Sequence, residues 1–158
     1  MKVVLDTSAI IYLNDFRKFD EMFTVENVIR EVKDNVSSLK LSSLKLEIVE
    51  PEEKFLSEIE KVARETGDWE ELSETDKKIL AVALEKKLTI VSDDRDIQNV
   101  AEKLKLKYIS VFNEKIKRLI VWKKYCRNCK KYFDGEVCPN CGEKLIRKRE
   151  SFSEVKSK

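Results

Sequence analysis

The residues able to do chemistry in this chain are carboxylates, Asp6, Glu31, Asp76 and Asp94, in a protein with no histidine. Asp6 and Asp94 each close an apolar run that reads as a buried strand, Lys2-Val3-Val4-Leu5 and Leu88-Thr89-Ile90-Val91-Ser92. Carboxyl ends of strands are where open α/β sheets build their sites. The absence of histidine excludes acid–base work by an imidazole pair. Carboxylates gathered instead make sense chiefly as a cage for hard divalent cations, which take oxygen ligands and act on phosphate. Each acid also has a structural explanation. Asp6 before Thr7-Ser8 can be a helix N-cap, Ser73-x-x-Asp76 fits a capping box, and Asp94, or Asp93 with Asp96, can cap the helix holding Ile97. Glu31 stands apart, because its helical neighbours Asn27, Asp34 and Asn35 include no basic partner.

A second constellation lies near the C-terminus. Cys126-x-x-Cys129 and Cys138-x-x-Cys141 are separated by eight residues, and each pair runs into a short polar or glycine-containing turn. Two such knuckles supply four thiolates in a tetrahedron, the donor set of structural zinc. Disulfides are disfavoured by a cytosolic type of composition, and iron–sulfur centres more often use other spacings. Leu119-Ile120-Val121-Trp122, Tyr132-Phe133 and Leu145-Ile146 flank the knuckles as the short strands of a zinc ribbon would. A closed shell of four cysteines leaves no open position, so such a metal folds the module and does no chemistry.

Charge divides the chain along the same line. The net charge of +2 conceals a balance of −7 over residues 1–114 and +9 over residues 115–149. A positive module on an acidic domain is the pattern of one part holding a polyanion while the other acts on it. The candidate phosphate contacts are Lys123, Lys124, Arg127, Lys130, Lys131, Lys144, Arg147, Lys148 and Arg149, interleaved with Trp122, Tyr125, Tyr132 and Phe133. For Tyr132 and Phe133, packing around the knuckles is a better explanation than stacking on bases.

These groups need positioning elements, and the 158-residue chain has room for one ordinary domain plus a small module. Strand-like runs at 2–5, 88–92 and 107–112, with a weaker one at 44–49, alternate with helical stripes at Phe55 to Ala63, Ile79 to Leu84 and Ile97 to Leu104. Alternation of this kind implies βαβ units around a parallel sheet. Thr66-Gly67-Asp68 reads as a helix stop and loop, and Ser73 to Asp76 as the next helix start. The expected organisation is an α/β domain over 1–113, a connector at 114–121, a four-cysteine ribbon at 122–149 and a polar, mobile tail at 150–158. No apolar run reaches the roughly 20 residues needed to span a bilayer, and no signal peptide precedes the first strand, so a soluble, cytoplasmic protein is expected.

Taken together, Val3-Val4-Leu5-Asp6-Thr7-Ser8-Ala9, Val28 to Val32, Leu72 to Ile79 and Ile90 to Asp96 resemble the four motifs of PIN-domain ribonucleases, in that family's order and spacing. The resemblance covers residues 1–112 and implies a three-layer α/β/α nuclease whose acids converge above a parallel sheet to bind Mg2+ or Mn2+. It transfers the catalytic role to Asp6, Glu31, Asp76 and Asp94, with Asp93 and Asp96 as less certain neighbours. The Thr66-Gly67-Asp68 turn, the Gln98-Asn99-Val100-Ala101 run and the ribbon narrow the match to the archaeal Nin-one-binding endonucleases. Those proteins mature the 3′ end of small-subunit ribosomal RNA. The resemblance thus implies precursor ribosomal RNA, the immature small subunit and other assembly factors as partners, with Zn2+ in the ribbon. Two other readings compete: a toxin-type PIN nuclease of other RNA, disfavoured by the ribbon, and a non-catalytic RNA-binding assembly factor, disfavoured by the presence of all four acids.

Overall fold

In the computed structural model, which describes residues 1–33, 38–112 and 115–155, Val3, Val4 and Leu5 are fully buried and form the central strand β1 (Lys2–Leu5). The chain continues through α1 (Thr7–Tyr12), β2 (Glu21–Thr24), α2 (Glu26–Lys33), α3 (Ser38–Ser43) and β3 (Leu46–Ile48), then α4 (Glu53–Thr66) and α5 (Glu74–Lys86). It returns as β4 (Thr89–Val91), α6 (Arg95–Lys103) and β5 (Tyr108–Ile109). All pairings in this sheet are parallel, in the order β3-β2-β1-β4-β5. The chain winds outward from β1 to β3 on one side, then crosses to β4 and β5 on the other. The strand order reverses between β1 and β4, whose carboxyl ends form the topological switch point where doubly wound sheets bind their ligands. α1 packs on α2, and α4, α5 and α6 pack on one another, which gives the expected α/β/α layering.

Two expectations change in detail. The run at 107–112 yields only the two-residue β5, because Ser110, Val111 and Phe112 turn to donate hydrogen bonds to the Asp93 carboxylate. β2 escaped the pattern reading, being four residues long with a charged residue at its start. The boundary at residues 113 and 114, the Asp34 and Asn35 neighbours of Glu31, and residues 156–158 of the tail lie outside the described residues.

A second, antiparallel sheet has the order β7-β6-β8, formed by β6 (Arg118–Cys126), β7 (Lys131–Tyr132) and β8 (Ile146–Glu154). β6 runs from the expected connector into the ribbon without a break. β8 takes up residues expected to be a mobile tail, pairing Arg118 with Glu154 at its far end. The polar composition of 150–154 misled because an antiparallel ribbon needs only one partnered edge and can face water.

The two sheets meet at a built joint. Gly67 ends α4 in the left-handed region at φ 77, and a Cβ there would lie 2.1 Å from the Trp122 carbonyl oxygen. Only glycine permits both the turn and this approach. Asn99 of α6 treats β6 as a neighbouring strand would: its Nδ2 donates to the Ile120 carbonyl at 2.8 Å and its Oδ1 accepts from the Ile120 amide at 2.8 Å. Beside it, Gln98 donates to the Ser92 carbonyl at 3.0 Å and accepts from the Ile116 amide at 3.1 Å. Asp68, fully buried, accepts from Asn99 at 2.6 Å and from the Arg147 guanidinium of β8 at 2.5 Å. That guanidinium lies 4.3 Å from the Trp122 ring centroid and 3.4 Å from Asp96.

Burial raises the Asp68 carboxyl to about 6 from the ordinary 3.8, against the pull of hydrogen bonds from Thr66 and Asn99 and the charge of Arg147. The folded protein therefore takes up this proton at higher pH than the unfolded chain does. The contribution of Asp68 to stability falls as pH rises from about 4 to about 6 and is flat above that. Asp68→Asn should flatten that part of the stability–pH profile, measured by denaturant midpoints across pH 4 to 7. A slope identical to wild type would show that Asp68 does not titrate in this window.

Candidate active site

Asp6 and Asp94 are helix N-caps and Asp76 is the third residue of a capping box, and these bonds are what aim them. Asp6 follows β1, donates its backbone amide to Val91 of β4, and accepts from the Ala9 amide at 2.7 Å and the Ser8 hydroxyl at 2.8 Å. Asp94 follows β4 and caps α6, its Oδ1 accepting from the amides of Asp96 at 2.7 Å and Ile97 at 3.1 Å. Asp76 closes the capping box of α5, its Oδ2 accepting from the Ser73 amide at 2.8 Å and hydroxyl at 2.7 Å. In Asp94 and Asp76 the cap occupies one carboxylate oxygen, and the other has no hydrogen-bond partner among the described residues. Capping thus leaves an oxygen of Asp76 and of Asp94 open, so a cap and a ligand role are compatible in these residues.

Glu31, on α2, bridges the groups. Its Oε2 accepts from the Thr7 hydroxyl and its Oε1 from the Thr75 hydroxyl, each at 2.5 Å. Those threonines directly follow Asp6 and precede Asp76, so hydroxyls from two other elements hold this carboxylate. Ser92, fully buried at the end of β4, hydrogen-bonds Asp6 and accepts from the Asp94 amide at 3.1 Å. Pattern reading singled out neither Ser92 nor the threonines. Their only sequence signal is adjacency to the acids.

The electrostatics follow from burial. The Asp6 and Asp76 carboxyls are both raised above 3.8, chiefly by loss of solvent, and hydrogen bonds to the charged form offset part of this. Repulsion adds to it: Asp76 acts on Asp6, and Asp94 and Glu31 act on Asp76. Burial is thus the larger cause and mutual repulsion the smaller. Among the described residues, no ion pair joins Asp6, Asp76 or Asp94 to a cation of the chain. A donor set made only of carboxylate and hydroxyl oxygens fits a hard divalent cation. The acids stand further apart than the cysteines, which are the described set whose ligand atoms all lie within 4.8 Å of one another.

Asp93 and Asp96 sit elsewhere. Asp93 is turned to the end of β5, accepting from the Ser110 hydroxyl and the amides of Val111 and Phe112. Asp96 faces Arg147.

In the ribbon, the Sγ atoms of Cys126 and Cys141 are 3.5 Å apart and those of Cys129 and Cys138 are 3.8 Å apart. Metal–sulfur bonds of about 2.3 Å in a tetrahedron require sulfurs roughly 3.8 Å apart, so the cage fits a four-thiolate metal site. The thiols cannot all ionise without a cation. Cys141 falls to about 6 under the Glu143 amide and the Asn128 side chain. Cys129, despite the Asn140 amide that favours its thiolate, rises to about 11 beside Cys141. Phe133 and Leu145 pack on the cage, as expected for Phe133, while Tyr132 stays partly exposed with its ring edge against Tyr125.

The expected cationic contacts divide into two groups. Arg147 is committed to Asp68, Lys123 and Lys124 pair with Glu150 and Glu136, Lys148 lies 3.8 Å from the Tyr125 ring centroid, and Arg149 lies 4.9 Å from that of Phe152. Arg127, Lys130, Lys131 and Lys144 make no ion pair among the described residues.

Comparison with known proteins agrees with this geometry. A family model described as the PIN domain of ribonuclease matches residues 3–85. The chain is 39% identical over 160 residues to the protein named endoribonuclease Nob1 of Pyrococcus abyssi, covering 95% of this chain and 96% of that one. It is 34% identical over 151 residues to endoribonuclease Nob1 of Archaeoglobus fulgidus, covering 92% and 90%. It is also 39% identical over 152 residues to the protein named ribonuclease VapC1 of Thermoplasma acidophilum, covering 93% and 78%.

Stripping metal from the purified protein with a chelator should abolish the near-ultraviolet signal of Tyr125 and Tyr132 beside the cage. The far-ultraviolet signal of the parallel-sheet domain should persist. Retention of the aromatic signal after complete metal removal would show that the cage folds without an ion.

Proposed function

The chain belongs to the PIN-domain ribonucleases, in the family of the Nob1 endoribonucleases, and from this we propose that it hydrolyses a phosphodiester of precursor small-subunit ribosomal RNA to form the mature 3′ end. The observation that carries the reading is the joint: α6 is capped by Asp94 and, four to five residues on, holds the segment entering β6 through Gln98 and β6 itself through Asn99. A bare nuclease fold would need no such attachment. It makes the RNA-holding half and the cutting half one unit.

Asp6, Asp76, Asp94 and Glu31 hold Mg2+ or Mn2+ directly or through water. When bound, such an ion lowers the pKa of a water and neutralises charge on the phosphate. The residues do the rest. The caps keep three carboxylates from rotating, the Thr7 and Thr75 hydroxyls fix the fourth, and Ser92 links Asp6 to Asp94. Because burial disfavours the charged forms of Asp6 and Asp76, protons compete with the cation there, and binding strengthens as pH rises through the carboxyl range. Zn2+ occupies the four cysteines and takes no part in the cut. Arg127, Lys130, Lys131 and Lys144 contact phosphates, whereas Arg147 is excluded from that role by its commitment to Asp68. Free thiols suit a reducing cytoplasm.

The relative named ribonuclease VapC1 supports a second reading, cleavage of another RNA class. Purified protein with Mn2+ should cut a model precursor spanning the mature 3′ end at one position and leave tRNA intact; the reverse preference would favour the second reading. Asp6→Asn, which keeps the cap of α1, should lower cleavage about 100-fold or more with little loss of melting temperature. Cleavage at the wild-type rate would remove Asp6 from the site. Replacing Arg127, Lys130, Lys131 and Lys144 by glutamine should reduce the salt slope of RNA binding by about 3, at ~0.7 for each phosphate these four cations neutralise. An unchanged slope would place the phosphate contacts on other residues.

A further inference from the structure

Two large aromatic side chains are left in solvent on segments joined to those of the carboxylates. Tyr12 is 54% exposed and Phe112 is 65% exposed, and their rings meet edge to face with centroids 5.4 Å apart and an interplanar angle of 66°. They come from different elements, and both are tied to the site. Tyr12 ends the helix that Asp6 caps, about 9 Å along its axis from that residue at 1.5 Å per residue. Phe112 lies beyond β5, where its backbone amide donates to Asp93 at 3.3 Å, and Asp93 is the residue before Asp94. A cation lies at the same end of α1: Lys40 Nζ donates at 2.7 Å to the carbonyl of Ile11, the residue before Tyr12, and lies 5.8 Å from the Phe16 ring centroid.

The function of the acids uses none of these three residues, and burial does not explain the rings. An edge-to-face contact leaves the face of at least one ring open, and an open aromatic face beside a cation is the means by which proteins hold unpaired bases without reading their identity. The acids themselves repel RNA until a cation is present. A neutral aromatic face near them adds affinity that this repulsion does not oppose. We propose that Tyr12 and Phe112 form a stacking platform for an unpaired nucleobase flanking the scissile phosphate, with Lys40 beside the adjoining phosphate. The inference rests on the endoribonuclease reading and adds a condition on the substrate: the chain must be single-stranded next to the cut. It also separates two sources of affinity, since stacking is insensitive to salt whereas the ribbon's contacts are not.

The test uses full-length protein carrying Asp6→Asn, so that binding is read without cleavage, and single-stranded RNA spanning the cut with 2-aminopurine placed at each flanking position in turn. One flanking position should be quenched on binding. Tyr12→Leu with Phe112→Leu keeps apolar bulk but removes the rings. It should abolish that quenching and weaken binding about 10-fold, by the same factor at low and high salt. Tyr12→Phe with Phe112→Tyr should restore both. An abasic nucleotide at the quenched position should weaken binding to the Asp6→Asn protein by the same factor and add nothing further in the double-leucine background. Unchanged quenching and affinity in the double-leucine variant would overturn the platform, as would an abasic penalty that persists there. The catalytic reading is judged separately, by whether protein with Asp6 intact cuts the same RNA, so a platform that binds beside a site that does not cut would be recognised as such.

Discussion

The N-cap hydrogen bond is the interaction on which the site depends. Every helix begins with amides that lack intrahelical partners, and a short acidic side chain that satisfies them is locked at once in position and rotamer. Here Asp6 and Asp94 start α1 and α6, Asp76 closes the capping box at the start of α5, and α1 and α6 begin beside the point where the strand order of the parallel sheet reverses. Local backbone chemistry fixes each carboxylate, and topology brings them together. The amides also offset part of the cost of burying charge, which is why Asp6 can be only 6% exposed, its carboxyl raised yet well hydrogen-bonded. Glu31 has no cap to hold it and takes hydroxyls from Thr7 and Thr75 instead.

The same helix that Asp94 starts carries the second half of the molecule. Gln98 reaches back to the end of β4 and forward to Ile116, while Asn99 pairs with the edge of β6 and with Asp68. Buried amides with both ends satisfied make a stiff joint, because breaking any bond leaves a desolvated polar group. The Arg147 pair with Asp68 adds specificity more than net stability, since removing an ion pair from water costs nearly as much as the attraction returns. Its Nε, buried without an acceptor among the described residues, shows that the fit is not complete. A ribbon attached in this way keeps a fixed orientation towards the helix that Asp94 caps.

Much of this was legible from residue order. Alternating apolar runs and stripes implied the parallel sheet, Ser73-x-x-Asp76 implied the capping box that is observed, and Gly67 marked the end of α4. The cysteine spacing implied the cage. What the pattern missed is informative. β2 is too short to show a period, β8 is too polar to look buried, and Asp93, placed by sequence only as a neighbour of Asp94, is turned to β5. Arg147 looked like one basic residue among several in the ribbon, and nothing near it in the sequence distinguishes it from Lys148 or Arg149. Its partner Asp68 lies 79 residues away.

The sequence by itself determined which residues carry charge, thiolate or hydroxyl, and which turns and helix starts they occupy, because capping, periodicity and CxxC knuckles are set by neighbours within a few residues. Only the tertiary structure decided which of those residues face one another. Glu31 meets Thr75, Asp68 meets Arg147, and Tyr12 meets Phe112 across separations that no local rule spans. Those contacts exist because the sheet reverses between β1 and β4 and because α6 packs its amides against β6. Both are properties of the assembled core and of no single segment.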